Sequence, residues 1–363
     1  MYTFKNKRYL SPLILDNLLI ENKLNKYTSI LGYSVENRPI LLSSFGSGKK
    51  KVLIWSQMHG NESTTTRSLV KLFSNLVLKK SSLLNYLTIK VVFQLNPDGA
   101  HKYTRFNANG IDLNRDAVNK TQPESQLLIS LYNDFKPHFC INLHDQRSIY
   151  AAGNTNKPAT ISFLAPSFDE TKSINETRQK AMTMIGKLYN SIKQESNYYV
   201  GRYNDNFNIN CFGDFFMSKN TPTILIEAGH HRNDFGRDFV VNEVHKCILN
   251  FFNLYACKQR IKDNTDIYFS IPENYDHLRD IEIKNVKSTG GLPSKIFIQF
   301  YELLKSDKIY FFPKIEIENS KKLYGNRIID FSKYTNKTID FKQNNQKIID
   351  KLKLFVDFEV FLK

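Results

Sequence analysis

Residues 51–63, KVLIWSQMHGNES, restrict this chain more than any other stretch. Val52, Leu53, Ile54 and Trp55 form a continuous apolar run, as expected of a buried strand, and residues 63–78 read as the helix that follows it. A buried strand feeding a helix calls for an α/β sheet, and the turn between them lies at the strand's carboxyl end, where such sheets place their ligands. His59 and Glu62 occupy that turn three positions apart, so an imidazole and a carboxylate can face one ion. The bland alternative is ordinary polar surface. Two ligands alone make no zinc site, so the remaining chain must supply a third ligand, a base and a substrate anchor.

The rest of the chain follows the same rhythm. An amphipathic helix and connection over 12–31 and a short strand or hairpin over 33–42 precede the first buried strand. Strand-like runs at 88–95, 138–143, 160–165 and 221–226 then alternate with helical stretches at 121–135, 170–194 and 239–255. NPDG at 96–99 reads as a turn. The expected fold class is α/β, a mostly parallel sheet with helices on both faces. From Lys258 the texture changes to a charged linker, KQRIKDNTD, and then to IYFSI, DIEIKNV, KIFIQFYELL, KIYFFPKIEIE and FVDFEVFL, short runs of alternating apolar and polar residues. The expected organisation is a catalytic domain over 1–258 and a small β-rich accessory domain over 259–363, serving as structural cover or a contact surface.

With 41% hydrophobic and 13% aromatic residues in 363, the chain can pack a sizeable core, and disorder is not the default. The net charge of +16 would suit nucleic acid or another acidic polymer. The lysines are spread among asparagines and isoleucines, however, which points to compositional bias, so no nucleic-acid partner is expected. The N-terminal residues lack a continuous apolar core of the signal-peptide kind, and no apolar run reaches the ~18 residues of a membrane span. A soluble, cytoplasmic protein without a membrane partner is expected. Cys140, Cys211, Cys247 and Cys257 show no CxxC spacing and read as free buried thiols in a reducing compartment.

Three buried strands thus end at His59/Glu62, at His144 and at Glu227, and in a mostly parallel sheet these ends converge. Two histidines and a glutamate are the His₂Glu set of a catalytic zinc with an open position for water. A lone His144 would otherwise read as a satisfied core histidine. Its place after HFCINL, aligned with the other strand ends, argues for a ligand. A carboxylate at position 227, after the apolar run TILI, is costly to place without a purpose.

Together, HGNE at 59–62, NPDG at 96–99, RFNANGIDLNRD at 105–116, QPES at 122–125, INLH ending at His144 and TILIEAG around Glu227 resemble the zinc carboxypeptidases, the carboxypeptidase A-like metallopeptidases. The likeness runs from about residue 30 to 257 and leaves the C-terminal hundred residues uncovered. It implies a mixed sheet with helices on both faces and a single Zn²⁺ held by His59, Glu62 and His144. The metal would polarise the scissile carbonyl and lower the pKa of its water toward ~7. Glu227 matches the catalytic glutamate, the general base that passes the proton to the leaving amine. Arg105 matches the arginine that steadies the developing oxyanion. Asn114 and Arg115 match the pair that grips the substrate's terminal carboxylate. The implied substrate is a peptide or peptide-like amide with a free carboxylate.

Some assignments stay open. Arg115 could instead be a surface ion pair with Asp112 or Asp116. The family's loop tyrosine has three candidates in NYYVGRYNDNFN, of which Tyr203 fits best. Asp145, His230 and His231 could stand behind the ligands, the two histidines reading as solvated or structural, and the side-chain specificity pocket cannot be placed by spacing. An N-acyl amino-acid deacylase of the succinylglutamate desuccinylase or aspartoacylase type is the alternative activity, because related sites share HGxE and DLNR-like motifs. A non-catalytic basic binding protein is the alternative from another class.

Overall fold

The computed structural model describes residues 8–257, 264–288, 295–316, 322–333 and 338–339. In chain order the helices are α1 (Pro12–Glu21), α2 (Thr64–Leu78), α3 (Pro97–Lys102), α4 (Pro123–Phe135), α5 (Glu176–Glu195), α6 (Phe212–Ser218), α7 (Asp238–Ala256) and α8 (Asp266–Ser270). The strands are β1 (Thr28–Tyr33), β2 (Pro39–Phe45), β3 (Lys50–Trp55), β4 (Leu87–Val92), β5 (Phe139–Asp145), β6 (Ala151–Ala152), β7 (Ala159–Leu164), β8 (Tyr199–Arg202) and β9 (Thr223–Ala228). They continue with β10 (Asn274–Tyr275), β11 (Leu278–Lys284), β12 (Lys287–Ser288), β13 (Lys295–Lys305), β14 (Lys308–Glu316), β15 (Tyr324–Asp330) and β16 (Thr338–Ile339).

An eight-stranded sheet of order β1-β2-β4-β3-β5-β9-β7-β8 forms the main layer. Its centre, β4-β3-β5-β9, is parallel, while β2 and β7 join it antiparallel, so the sheet is mixed. Strands covered on both faces need apolar residues at every position. On β3, Val52 and Ile54 enter one core, with Leu69, Phe73, Met184, Ile185, Val244 and Phe251 of α2, α5 and α7. Leu53 and Trp55 enter the other, with Leu128 and Leu131 of α4 and Phe212 and Phe216 of α6. The expected α/β class with helices on both faces is therefore the observed one.

Several local expectations are corrected. NPDG opens a helix, because the Asn96 side chain caps the Gly99 N–H at 2.8 Å and Pro97 is preset for the first turn. IYFSI, expected as a strand, falls in and just after the short helix α8, where Tyr268 is buried and its hydroxyl accepts from Ala165 N. The helix expected from residue 170 starts at Glu176 as α5, with Asn175 as its cap. Cys140 and Cys247 are buried, but Cys257 is exposed. KQRIKD at 258–263 and FVDFEVFL lie outside the described residues.

A second, four-stranded sheet of order β14-β13-β11-β15 follows, with its own core of Ile281, Ile283, Ile296, Ile298, Phe300 and Ile315. Phe235, from the loop after β9, packs on that core, and β10 pairs with β6. Asp280 on β11 accepts from Phe300 N at 2.7 Å, and burial pushes its carboxyl from the ordinary 3.8 up to about 6. The folded chain therefore holds a proton that the unfolded chain releases. The resulting stabilisation is complete below about 4 and lost as pH rises through about 6. Asp280→Asn is expected to flatten the fall in Tm between pH 4 and 7, measured by calorimetry against wild type.

Candidate metal centre and cleft

The central parallel strands build the site. His144 and Glu227 are register partners near the carboxyl ends of β5 and β9, and β3 runs into the turn that carries His59 and Glu62. The Asp145 carboxylate accepts from Thr64 N at 2.7 Å and Thr65 N at 3.2 Å, which fastens the start of α2 to the end of β5. Gly60 leaves no room for a side chain, since a Cβ there would stand 1.9 Å from the Gly99 carbonyl carbon and 2.1 Å from Ala100 N. The turn therefore rests backbone on backbone against α3.

One donor atom from each of His59, Glu62 and His144 can be chosen so that all lie within 4.8 Å of one another, and all three residues are buried. His59 Nδ1 is 2.8 Å from Glu62 Oε1, His144 Nδ1 is 2.9 Å from Glu62 Oε2, and the two Nδ1 atoms face each other at 3.2 Å. Two buried imidazole nitrogens and a carboxylate converging on one point fit a cation. Burial alone would lower His59, yet Glu62 and Asp112 outweigh it and raise its pKa, whereas burial lowers His144. Burial would raise Glu62, but His59 and His144 hold it well below the usual range. His59 Nε2 is tied to Asp112 Oδ1 at 3.0 Å, the outer contact that orients a ligating imidazole.

His59, Glu62, His144, Arg105, Asn114, Arg115, Tyr203 and Glu227 all line one cleft of about 300 Å³, so every site residue expected from the sequence is brought together. Arg105 donates from Nε and Nη2 to Asp112 Oδ2 at 3.0 and 2.9 Å, and its Nη1 lies 3.7 Å from Glu62. Asn114 Oδ1 accepts from Phe212 N, which leaves its NH₂ group without a partner among the described residues. Arg115 forms no ion pair among those residues. Asp112 is committed to His59 and Arg105, and Asp116 to the Thr121 and Gln122 backbone. Arg115 Nη1 reaches only the Asn114 carbonyl, at 2.7 Å, and Cys211 Sγ, at 3.1 Å. Burial first, then Glu62 and Asp145, push the Glu227 carboxyl well above its ordinary range. Tyr203 sits edge-on to Tyr150, with ring centroids 5.5 Å apart.

Part of this cleft comes from residues to which the sequence motifs assign no role. Arg147, Ser148, Tyr150, Gln146 and Leu225 also line it. Asp112 reads in sequence only as a partner for Arg115, although its place within IDLNRD is a usable signal. Arg237, fully buried, donates to the Gln146 and Gly229 carbonyls just beyond His144 and Glu227 and so ties β5 to β9, and nothing in the sequence marks it.

The chain is thus an α/β protein with a mixed sheet covered by helices and a His₂Glu group at its central strand ends that could hold a metal ion. Residues 15–210 match the family profile described as zinc carboxypeptidase, and the chain belongs to that zinc-dependent family. A probable carboxypeptidase 2 of Arthroderma benhamiae is 30% identical over 135 residues, or 36% of this chain and 24% of that protein. Carboxypeptidase 2 of Trichophyton rubrum is 28% identical over 124 residues, 33% of this chain and 21% of that one. The chain thus spans about a quarter of the length of the curated relatives it matches. Among solved structures, a metallo-carboxypeptidase from Burkholderia cenocepacia superposes with a TM-score of 0.53 at 18% identity over 68% of this chain and 70% of that one. Carboxypeptidase A from Helicoverpa armigera gives 0.53 at 17% identity, covering 69% and 74%. These likenesses agree in fold. No helix among the described residues is long and apolar enough to cross a membrane.

Proposed function

We propose that this protein is a zinc metallocarboxypeptidase that hydrolyses the C-terminal amide bond of a peptide or peptide-like substrate. The carrying observation is that Arg115, free of any acidic partner among the described residues, shares one cleft with the three metal donors and Glu227. His59, Glu62 and His144 would hold a single Zn²⁺, which would supply a Lewis acid for the scissile carbonyl and the attacking water. Arg115 and the Asn114 NH₂ group grip the terminal carboxylate and so set the scissile bond at the cleft floor. Glu227, the register partner of His144, takes the proton from water and gives it to the departing amine. Arg105 turns its guanidinium to the developing oxyanion, and Tyr203 closes over the bound residue. We place the enzyme in the cytoplasm, acting on small peptides.

Peptides with free C-termini, compared with the same peptides amidated and with N-acyl amino acids, provide the test. Release of the terminal residue from the free-carboxylate set is expected to exceed the amidated set about 10- to 100-fold, because hydrogen bonds to charged groups are worth ~1.5–3 kcal/mol. Arg115→Met should close most of that gap through KM. Preferential turnover of N-acyl amino acids would favour the deacylase. Full activity after rigorous zinc removal would overturn the reading.

A further inference from the structure

The C-terminal sheet lies beyond the family match at 15–210, yet one of its side chains reaches the metal-binding turn. Glu302, on β13, has a side chain only 9% exposed. One of its carboxylate oxygens pairs with Arg8, and the other takes both Arg147 Nη2 and the Tyr103 hydroxyl. Burial would raise this carboxyl, but the Arg147 and Arg8 guanidinia outweigh it and hold it at about 2, so Glu302 is a fixed anion.

Both Arg147 and Tyr103 lead to Asn61, between the ligands His59 and Glu62. Arg147 Nη1 donates to the Asn61 carbonyl at 2.7 Å. Tyr103 precedes Thr104, whose carbonyl accepts from Asn61 N at 3.1 Å. The two anchors also hold each other, with Arg147 Nη2 3.0 Å from the Tyr103 hydroxyl and its guanidinium carbon 5.4 Å from the ring centroid. The two backbone polar groups of Asn61 are therefore gripped by segments that converge on one carboxylate of the C-terminal sheet.

We propose that Glu302 is a positioning residue of the metal site: through Arg147 and Tyr103 it fixes the Asn61 backbone, and with it the spacing of His59 and Glu62. The C-terminal sheet is then part of the zinc-binding apparatus. Without Glu302, Arg147 loses the one carboxylate it pairs with among the described residues, and its charge is less well balanced beside the ligands, which disfavours a second cation there. The inference rests on the zinc reading under Proposed function.

Zinc affinity of the full chain, measured by competition with a chromophoric chelator, tests it without recourse to activity. Partners that orient ligands cost about 10- to 100-fold in affinity when removed, and Glu302→Gln is expected to weaken Zn²⁺ binding by that factor. Glu282→Gln, in the same sheet but paired with Lys284 and Lys295, should lower Tm and leave zinc affinity unchanged. In an Arg147→Met background, Glu302→Gln should add little, the mark of a shared path. If Glu302→Gln does not fold, Tyr103→Phe, which removes a single contact to Glu302, is expected to weaken binding several-fold. A folded Glu302→Gln protein with wild-type zinc affinity overturns the proposal, as does an equal loss in Glu282→Gln. Wild type that takes up no zinc would instead remove the zinc reading itself.

Discussion

Glu227→Gln is expected to slow peptide hydrolysis about 10²–10⁴-fold, the range attributed to a positioned general base, while leaving the fold and zinc uptake intact. The amide keeps the shape of the side chain on β9 but cannot take a proton. The loss should therefore fall on kcat, with KM for a free-carboxylate peptide little changed, because the grip assigned to Asn114 and Arg115 is untouched. Steady-state kinetics on one peptide, with zinc content measured on the same preparation, check this. A variant with wild-type kcat would take the proton-transfer role away from Glu227.

Glu62→Gln is expected to cost more than 100-fold in zinc affinity and to take activity with it. Both Glu62 oxygens are engaged, Oε1 with His59 and Oε2 with His144 and Asp145 N, so the neutral amide loses charge and must also turn a donor toward one of them. Zinc at ~1000 times its Kd stabilises a folded protein by about 4 kcal/mol. Wild type should show a zinc-dependent rise in Tm that the variant lacks at the same metal concentration. An undiminished rise would mean that the cation sits elsewhere.

What the sequence made legible follows from how each residue is used. The runs before His59, His144 and Glu227 stand out because a parallel strand covered on both faces needs apolar residues at nearly every position, and each run ends where the chain meets the cleft. α6 and β8 escaped notice because seven and four residues are too few to establish a period. IYFSI misled because a short apolar run fits a strand and a buried helix end equally well. Glu302 was invisible for a different reason. In KIFIQFYELL an acidic residue in an alternating strand reads as the solvent face, and only tertiary packing places Arg8 and Arg147 on it. Arg115 shows the converse, where two nearby acids in sequence leave a surface pair open as the alternative and both are engaged elsewhere.

The contact beneath Gly60 has a consequence for how this protein can change. The atoms a Cβ would strike at position 60 are backbone atoms of Gly99 and Ala100, so no trimming of a neighbouring side chain can make room. A substitution at 60 meets no flexible side chain among its nearest atoms that could give way. In a selection for restored zinc uptake after Gly60→Ala, reversion at codon 60 is the route left open, and HGNE and NPDG behave as one inherited unit.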